Sequence, residues 1–169
     1  MEQPRSRGRT AMARLLAVSA LAASLASCGG AAATASPALA TPVPTAAASS
    51  VDITLQEWAV VPGQASVKAG TVTFKVTNKG PKNTHEFVVF RTDLGQRALP
   101  TGADGKVDEA GAGVTAIGEI EDIAVGTTGN VSFDLAPGKY VLVCNIVETV
   151  DGKTEVHYGL GMSADFTVE

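Results

Sequence analysis

The sequence predicts an all-β protein, a β-sandwich of about seven or eight short strands. Apolar and polar residues alternate in several segments of strand length, and turn residues separate these segments. No segment beyond residue 50 has a convincing helical period. A chain of short alternating strands buries its apolar faces best when two sheets stack on each other.

The predicted strands follow one another along the chain as 51–56, 58–61, 71–78, 85–90, 130–135, 140–144 and 164–168. The clearest is 71–78, where Val72, Phe74 and Val76 face one way. Six glycines interrupt the pattern in 91–118, which leaves a short helix and an extra hairpin both open there. The acidic residues that follow, at 119–122, fit a solvated strand face better than a calcium site.

The first 50 residues predict targeting and a tether rather than a fold. Four arginines precede a short apolar run, and this order predicts a secretory signal over 1–27. The run ends in Leu-Ala-Ser-Cys, which resembles a bacterial lipobox, and the resemblance implies that Cys28 carries palmitate or related acyl chains. The alternative is an ordinary signal in which Cys28 is incidental. Residues 28–50 have no charge and no aromatic side chain, as in a disordered tether, so we expect one domain at 51–169.

After Cys28 the chain has nine lysines and arginines and sixteen aspartates and glutamates, a formal balance of −7. Because phosphate binding needs a basic face, this balance argues against nucleic acid as a partner. It permits attraction to a basic partner, although simple solubility explains it equally well.

The soft and imidazole side chains beyond Cys28 are few: one cysteine, Cys144, two histidines, His85 and His157, and one methionine, Met162. Taken singly, each has a structural explanation as a buried thiol, a core histidine or a loop residue. Together, one thiolate, two imidazoles and one thioether are the ligand set of a blue-copper site. They occur in the order His, Cys, His, Met.

The chain resembles the cupredoxins, the group that includes plastocyanin, azurin and sulfocyanin. The resemblance rests on V-x-A-G-T-V-T-F-K-V-T-N-K-G, His85, P-G-K-Y-V-L-V-C, His157 and G-L-G-M, and spans nearly all of 51–169. It implies an eight-strand Greek-key sandwich with one copper ion, cycling between Cu(I) and Cu(II). It also implies that His85, Cys144 and His157 hold the ion and that Met162 is a weak axial ligand.

Two features depart from the family pattern. Glu86 follows the upstream histidine where asparagine is usual, so the link between the two ligand loops is in question, and Asn145 is a candidate substitute. Twelve residues separate Cys144 from His157, where familiar members have two to four. An altered copper site is therefore a competing interpretation.

A hairpin explains the long separation. Asp151-Gly152 is a strong two-residue turn pattern, and V-E-T-V and K-T-E-V on either side of it are of strand type. Since a hairpin returns its end to within about 5 Å of its start, residues 145–156 can protrude while the ligands stay close. Glu148 and Glu155 are then expected to lie on the hairpin without binding metal.

The resemblance implies a carrier of single electrons between extracytoplasmic redox proteins, such as a cytochrome, a terminal oxidase or a copper reductase. Tyr158 and Leu160, beside His157, are the expected docking residues. We expect a monomer held by its lipid on a bacterial membrane, in the periplasm or at the cell surface.

Two other functions are compatible with the sequence: copper delivery without redox turnover, and a copper-free cupredoxin-like binding module. Catalysis is not expected, because the domain has no histidine beyond His85 and His157 and nothing marks a substrate pocket.

Overall fold

A computed structural model describes residues 48–169, which form two stacked β-sheets and a protruding hairpin. In chain order the elements are β1 (Ser49–Gln56), β2 (Ala59–Pro62), β3 (Ser66–Val67), β4 (Gly70–Asn78), β5 (His85–Thr92), β6 (Val114–Ile123), β7 (Thr128–Leu135), β8 (Gly138–Val143), β9 (Val147–Val150), β10 (Lys153–Val156), α1 (His157–Leu160) and β11 (Ser163–Val168). The predicted signal, Cys28 and most of the predicted tether lie outside the described residues.

One sheet has the strand order β2-β1-β4-β7, and the other has β3-β11-β8-β5-β6. The chain crosses between them after β2, β3, β4, β6 and β7, as in a Greek-key sandwich. Most neighbours are antiparallel, but β1 pairs parallel with β4, and β11 pairs parallel with β3. The predicted all-β sandwich is confirmed. Its eleven strands exceed the seven segments of the predicted series by four: the two strands of the hairpin, the two-residue β3, and the ten-residue β6, whose apolar alternation is weak.

The alternating segments become strands with one buried face. In β1, Val51, Ile53 and Leu55 are buried, and in β4 the same is true of Val72, Phe74 and Val76. The strand β1 begins at Ser49, two residues before the predicted boundary, because Ser49 and Ser50 pair with the start of β4.

The main core fills the space between the sheets. Phe74 lies at its centre, fully buried, with its ring centroid 5.2 Å from that of Phe87, 5.7 Å from that of Phe166 and 6.4 Å from that of Phe133. These aromatic contacts join β4, β5, β7 and β11, so they hold both sheets together.

A second, smaller core lies on the outer face of the larger sheet. Val88 and Phe90 of β5 pack there against Leu99, Val107 and neighbouring apolar residues. The segment before β6 therefore covers β5, which explains why β5 is apolar on both faces. Neither a helix nor a full hairpin forms in this segment; it has a single bridge between Thr101 and Val107.

Residues 147–156 form the two-stranded hairpin predicted from Asp151-Gly152, and we call them the finger. Asp151 has φ 50° and Gly152 has φ 75°, as a tight hairpin turn requires. The N–H of His157 donates to the carbonyl of Ile146 (3.0 Å) and closes the base of the finger. Within residues 48–169 no helix has the length and apolar character needed to span a membrane.

Candidate metal centre

The four predicted ligand residues lie where elements begin or end. His85 is the first residue of β5, Cys144 follows β8, His157 opens α1 and Met162 precedes β11. All four are fully buried. Backbone hydrogen bonds fix the last three, because the N–H of Cys144 donates to the carbonyl of Met162 (3.0 Å) and that of Met162 to the carbonyl of His157 (3.0 Å).

Three of these side chains converge on one point. His85 Nδ1 lies 3.3 Å from His157 Nδ1 and 3.7 Å from Cys144 Sγ, and the distance from His157 Nδ1 to Cys144 Sγ is 3.2 Å. Both imidazoles therefore present the same nitrogen to the thiol. The finger does not separate the ligands, since both of its ends meet at its base.

These spacings fit one metal ion. A point equidistant from the three atoms lies about 2 Å from each, close to a metal–imidazole bond of about 2.0–2.1 Å and slightly short of a metal–thiolate bond of about 2.3 Å. Two imidazoles with one thiolate are also the donor set of a trigonal copper site. The group formed by His85, Cys144 and His157 is thus placed to hold a metal ion.

Burial controls the protonation of this group. It raises the pKa of the Cys144 thiol to about 12, against the opposing hydrogen bonds from the N–H groups of Glu86 and Ile146. Burial, and next the repulsion of His157, lower the pKa of His85 to about 4. At neutral pH the metal-free site therefore has a neutral imidazole at His85 and a protonated thiol, and a metal ion must displace the thiol proton.

Each ligand histidine has a carboxyl group near its outer nitrogen. His157 Nε2 lies 2.9 Å from Glu148 Oε1, on the finger. His85 Nε2 lies 3.9 Å from Glu57 Oε1 and has no hydrogen-bond partner within the described residues. Burial raises the pKa of Glu57, but hydrogen bonds from the N–H groups of Asn83 and Lys82 outweigh it and leave that pKa below its usual value. Negative charge thus faces the outer side of His85.

Glu86 and Asn145 have different partners. The backbone N–H of Glu86 donates to Cys144 Sγ (3.4 Å), and this bond joins the two ligand loops. Asn145 does not substitute for that link. Its side chain faces the segment before β6, where it pairs with both the N–H (2.6 Å) and the carbonyl (3.1 Å) of Val107. Burial raises the pKa of the Glu86 carboxyl above its ordinary value, although Lys106 opposes the shift.

The expected docking residues differ in exposure. Leu160 is 45% exposed, but Tyr158 is only 7% exposed, because its hydroxyl accepts a hydrogen bond from the N–H of Leu99 (3.1 Å) within the second core. Tyr158 is therefore not available to a partner. The imidazole of His157 is also covered, by Glu148 on one side and by the ring of Trp58, whose centroid lies 5.0 Å away.

Glu57, Trp58 and Glu148 lie around the site, although none of the three was predicted to be there. Glu148 was expected to lie on the finger without binding metal; it does lie there, and its carboxylate also contacts the outer nitrogen of His157. One pattern pointed to it: in the predicted hairpin Glu148 lies directly opposite Glu155, and like charges in that position are unfavourable unless each has another partner.

Known protein structures provide a comparison. Auracyanin A, a "blue" copper protein from Chloroflexus aurantiacus, is 21% identical over 73% of this chain and 100% of that chain, with a TM-score of 0.47. Reduced auracyanin from Roseiflexus castenholzii is 18% identical over 72% of this chain and 96% of its own, with a TM-score of 0.45. Rusticyanin from Thiobacillus ferrooxidans is 17% identical over 71% of this chain and 76% of its own, with a TM-score of 0.47. No family model and no curated protein matches the sequence.

The case for a metal site rests on the geometry of this chain and does not depend on the similarity to these proteins. Two stacked sheets with Greek-key crossovers place two histidines and a cysteine at strand ends, and their Nδ1 and Sγ atoms converge in a fully buried group. Residues 48–169 therefore form a Greek-key β-sandwich in which His85, Cys144 and His157 supply a donor set suited to one copper ion.

Proposed function

We propose that the protein is a type 1 copper protein that carries single electrons between extracytoplasmic redox partners. The observation that carries this proposal is the convergence of His85 Nδ1, His157 Nδ1 and Cys144 Sγ in a fully buried site. When bound there, copper supplies a one-electron couple between Cu(II) and Cu(I).

The protein's own residues suit this role. The three ligand atoms are spaced for a metal before one is bound, so binding requires little rearrangement of the chain. We assign Met162 as the weak axial ligand, since it is fully buried and its backbone is bonded to both Cys144 and His157. Burial excludes water from the site, which limits reorganisation when its charge changes.

Attachment and partners belong to the same proposal. We infer that Cys28 carries the lipid and that the chain is tethered to a bacterial membrane, outside the cytoplasm. Two acyl chains on one cysteine would hold it stably. Of the two expected docking residues, only Leu160 is exposed, and we propose that it contacts the partner. The proposed partner is a cytochrome or an oxidase.

The test is the addition of Cu(II) to purified residues 48–169. We expect an intense visible thiolate-to-copper absorption, its loss in Cys144→Ser, and an altered potential with retained copper in Met162→Leu. Reversible one-electron voltammetry then separates an electron carrier from a copper-delivery protein. A colourless protein that binds only Cu(I) would refute the proposal and favour delivery, and a protein that binds neither ion would favour the copper-free module.

A further inference from the structure

We propose that Glu148 is a positioning residue for the metal site: it fixes the orientation and tautomer of His157 and lowers the reduction potential of the bound metal. The inference rests on the proposed copper function. It assigns the finger a specific task, namely to bring one carboxylate onto the outer nitrogen of a ligand imidazole.

The first step is the hydrogen bond. Glu148 Oε1 lies 2.9 Å from His157 Nε2, and the imidazole is fully buried while the Glu148 side chain is 32% exposed. A carboxylate can only accept, so Nε2 must carry the proton. The lone pair of His157 is then on Nδ1, the nitrogen that faces Cys144 Sγ at 3.2 Å. The contact therefore selects the tautomer that a metal needs.

The second step is the architecture that delivers the carboxylate. The bond between His157 N–H and the carbonyl of Ile146 closes the base of the finger, and Glu148 lies two residues beyond Ile146. The antiparallel register places Glu148 directly opposite Glu155. Two like charges in that arrangement repel. Each carboxylate has its own hydrogen-bond partner, which offsets this repulsion: Glu155 Oε2 accepts from Asn83 Nδ2 (3.2 Å), and Glu148 accepts from His157.

The third step is electrostatic. A negative charge hydrogen-bonded to a ligand imidazole favours the more positive state of the metal, so it stabilises Cu(II) over Cu(I) and lowers the potential. Glu57, near the outer nitrogen of His85, acts in the same direction. The site is buried, so solvent screens this charge less than it would at an open surface.

The experiment compares wild type with Glu148→Gln, Glu148→Ala and the matched control Asp151→Asn. The control removes one negative charge from the same finger at its turn, where φ is 50° and asparagine is well tolerated. We expect Glu148→Gln to keep the visible band and raise the potential clearly more than Asp151→Asn. Glu148→Ala should raise it as well and also alter the band, because no acceptor remains.

A second measurement uses the metal-free protein. Nitrogen-15 NMR of the imidazoles should show His157 protonated on Nε2 in wild type and in Glu148→Gln, and a loss of that preference in Glu148→Ala. Equal potentials in Glu148→Gln and Asp151→Asn, or a wild-type His157 protonated on Nδ1, would overturn the inference. Because this measurement needs no copper, failure of the Glu148 contact is distinguishable from failure of the copper function.

Discussion

Asn78, at the end of β4, provides the sharpest test of how the site is supported. Its side chain is fully buried, and its Nδ2 donates to the carbonyls of Asn83 and Ile123, both at 2.8 Å. Its Oδ1 accepts from the N–H of Gly80 at 2.7 Å. The turn that leads from β4 to His85 therefore depends on one amide group.

Asn78→Ala removes three hydrogen bonds and leaves one N–H and two carbonyls unpaired in buried positions. Each unpaired group costs roughly 1–3 kcal/mol, so the low end alone gives a loss of about 3 kcal/mol in the free energy of unfolding. For a domain of this size that corresponds to a drop of about 12 °C in Tm. Asn78→Asp should be no better, because it keeps the bond to Gly80 but turns an oxygen toward two carbonyls.

The assay is urea unfolding of the metal-free protein, followed by the fluorescence of Trp58, the chain's single tryptophan. The control is Asn130→Ala, an exposed position in β7, where we expect a change within about 0.5 kcal/mol. Copper affinity should fall in Asn78→Ala, since the turn before His85 loosens. If the free energies of unfolding of Asn78→Ala and Asn130→Ala differ by less than about 1 kcal/mol, the reasoning about buried unpaired groups is refuted.

Three further outcomes are expected. Phe74→Ala should lower the free energy of unfolding by about 3–5 kcal/mol, because it empties the centre of the core, and Phe74→Leu should cost clearly less; equal costs in calorimetry would contradict this. Stoichiometric Cu(II) should quench the fluorescence of Trp58, whose ring centroid lies 5.0 Å from that of His157, and Cys144→Ser should weaken the quenching; unchanged emission on loading would count against the site. Replacing 148–155 by a short turn should leave a coloured protein but change its potential and slow electron exchange with its partner, measured by stopped flow; loss of copper binding would show that the finger is structural.

The sequence predicted most of the sandwich because its strands carry local patterns. Alternation in β1 and β4 has a direct physical cause, one face against the core, and Asp151-Gly152 specifies the turn of the finger whatever surrounds it. The ligand residues could be found for a different reason. They are the only cysteine, histidine and methionine side chains beyond Cys28, so composition alone identifies the candidate metal ligands.

The rest depends on contacts that no local pattern encodes. Leu99 and Val107 are isolated apolar residues among glycines, and only the folded sheet shows that they cover β5. The burial of Tyr158 follows from that same cover. The contact between Glu148 and His157 depends on where the finger lies relative to the imidazole, which the turn sequence does not determine.

The base of the finger also has a consequence for protein engineering. Because the bond between His157 and Ile146 ties the two ends together, residues added at Asp151-Gly152 enlarge a solvent-exposed turn and do not enter the distance between Cys144 and His157. A Cβ at Gly152 would meet nothing within 4 Å, so the tip is sterically open. A binding peptide or an affinity tag grafted at the tip would be connected through the finger to Glu148, which contacts the imidazole of His157. The tip is therefore a suitable place to insert a peptide whose binding is to be detected as a change in the potential of the metal site.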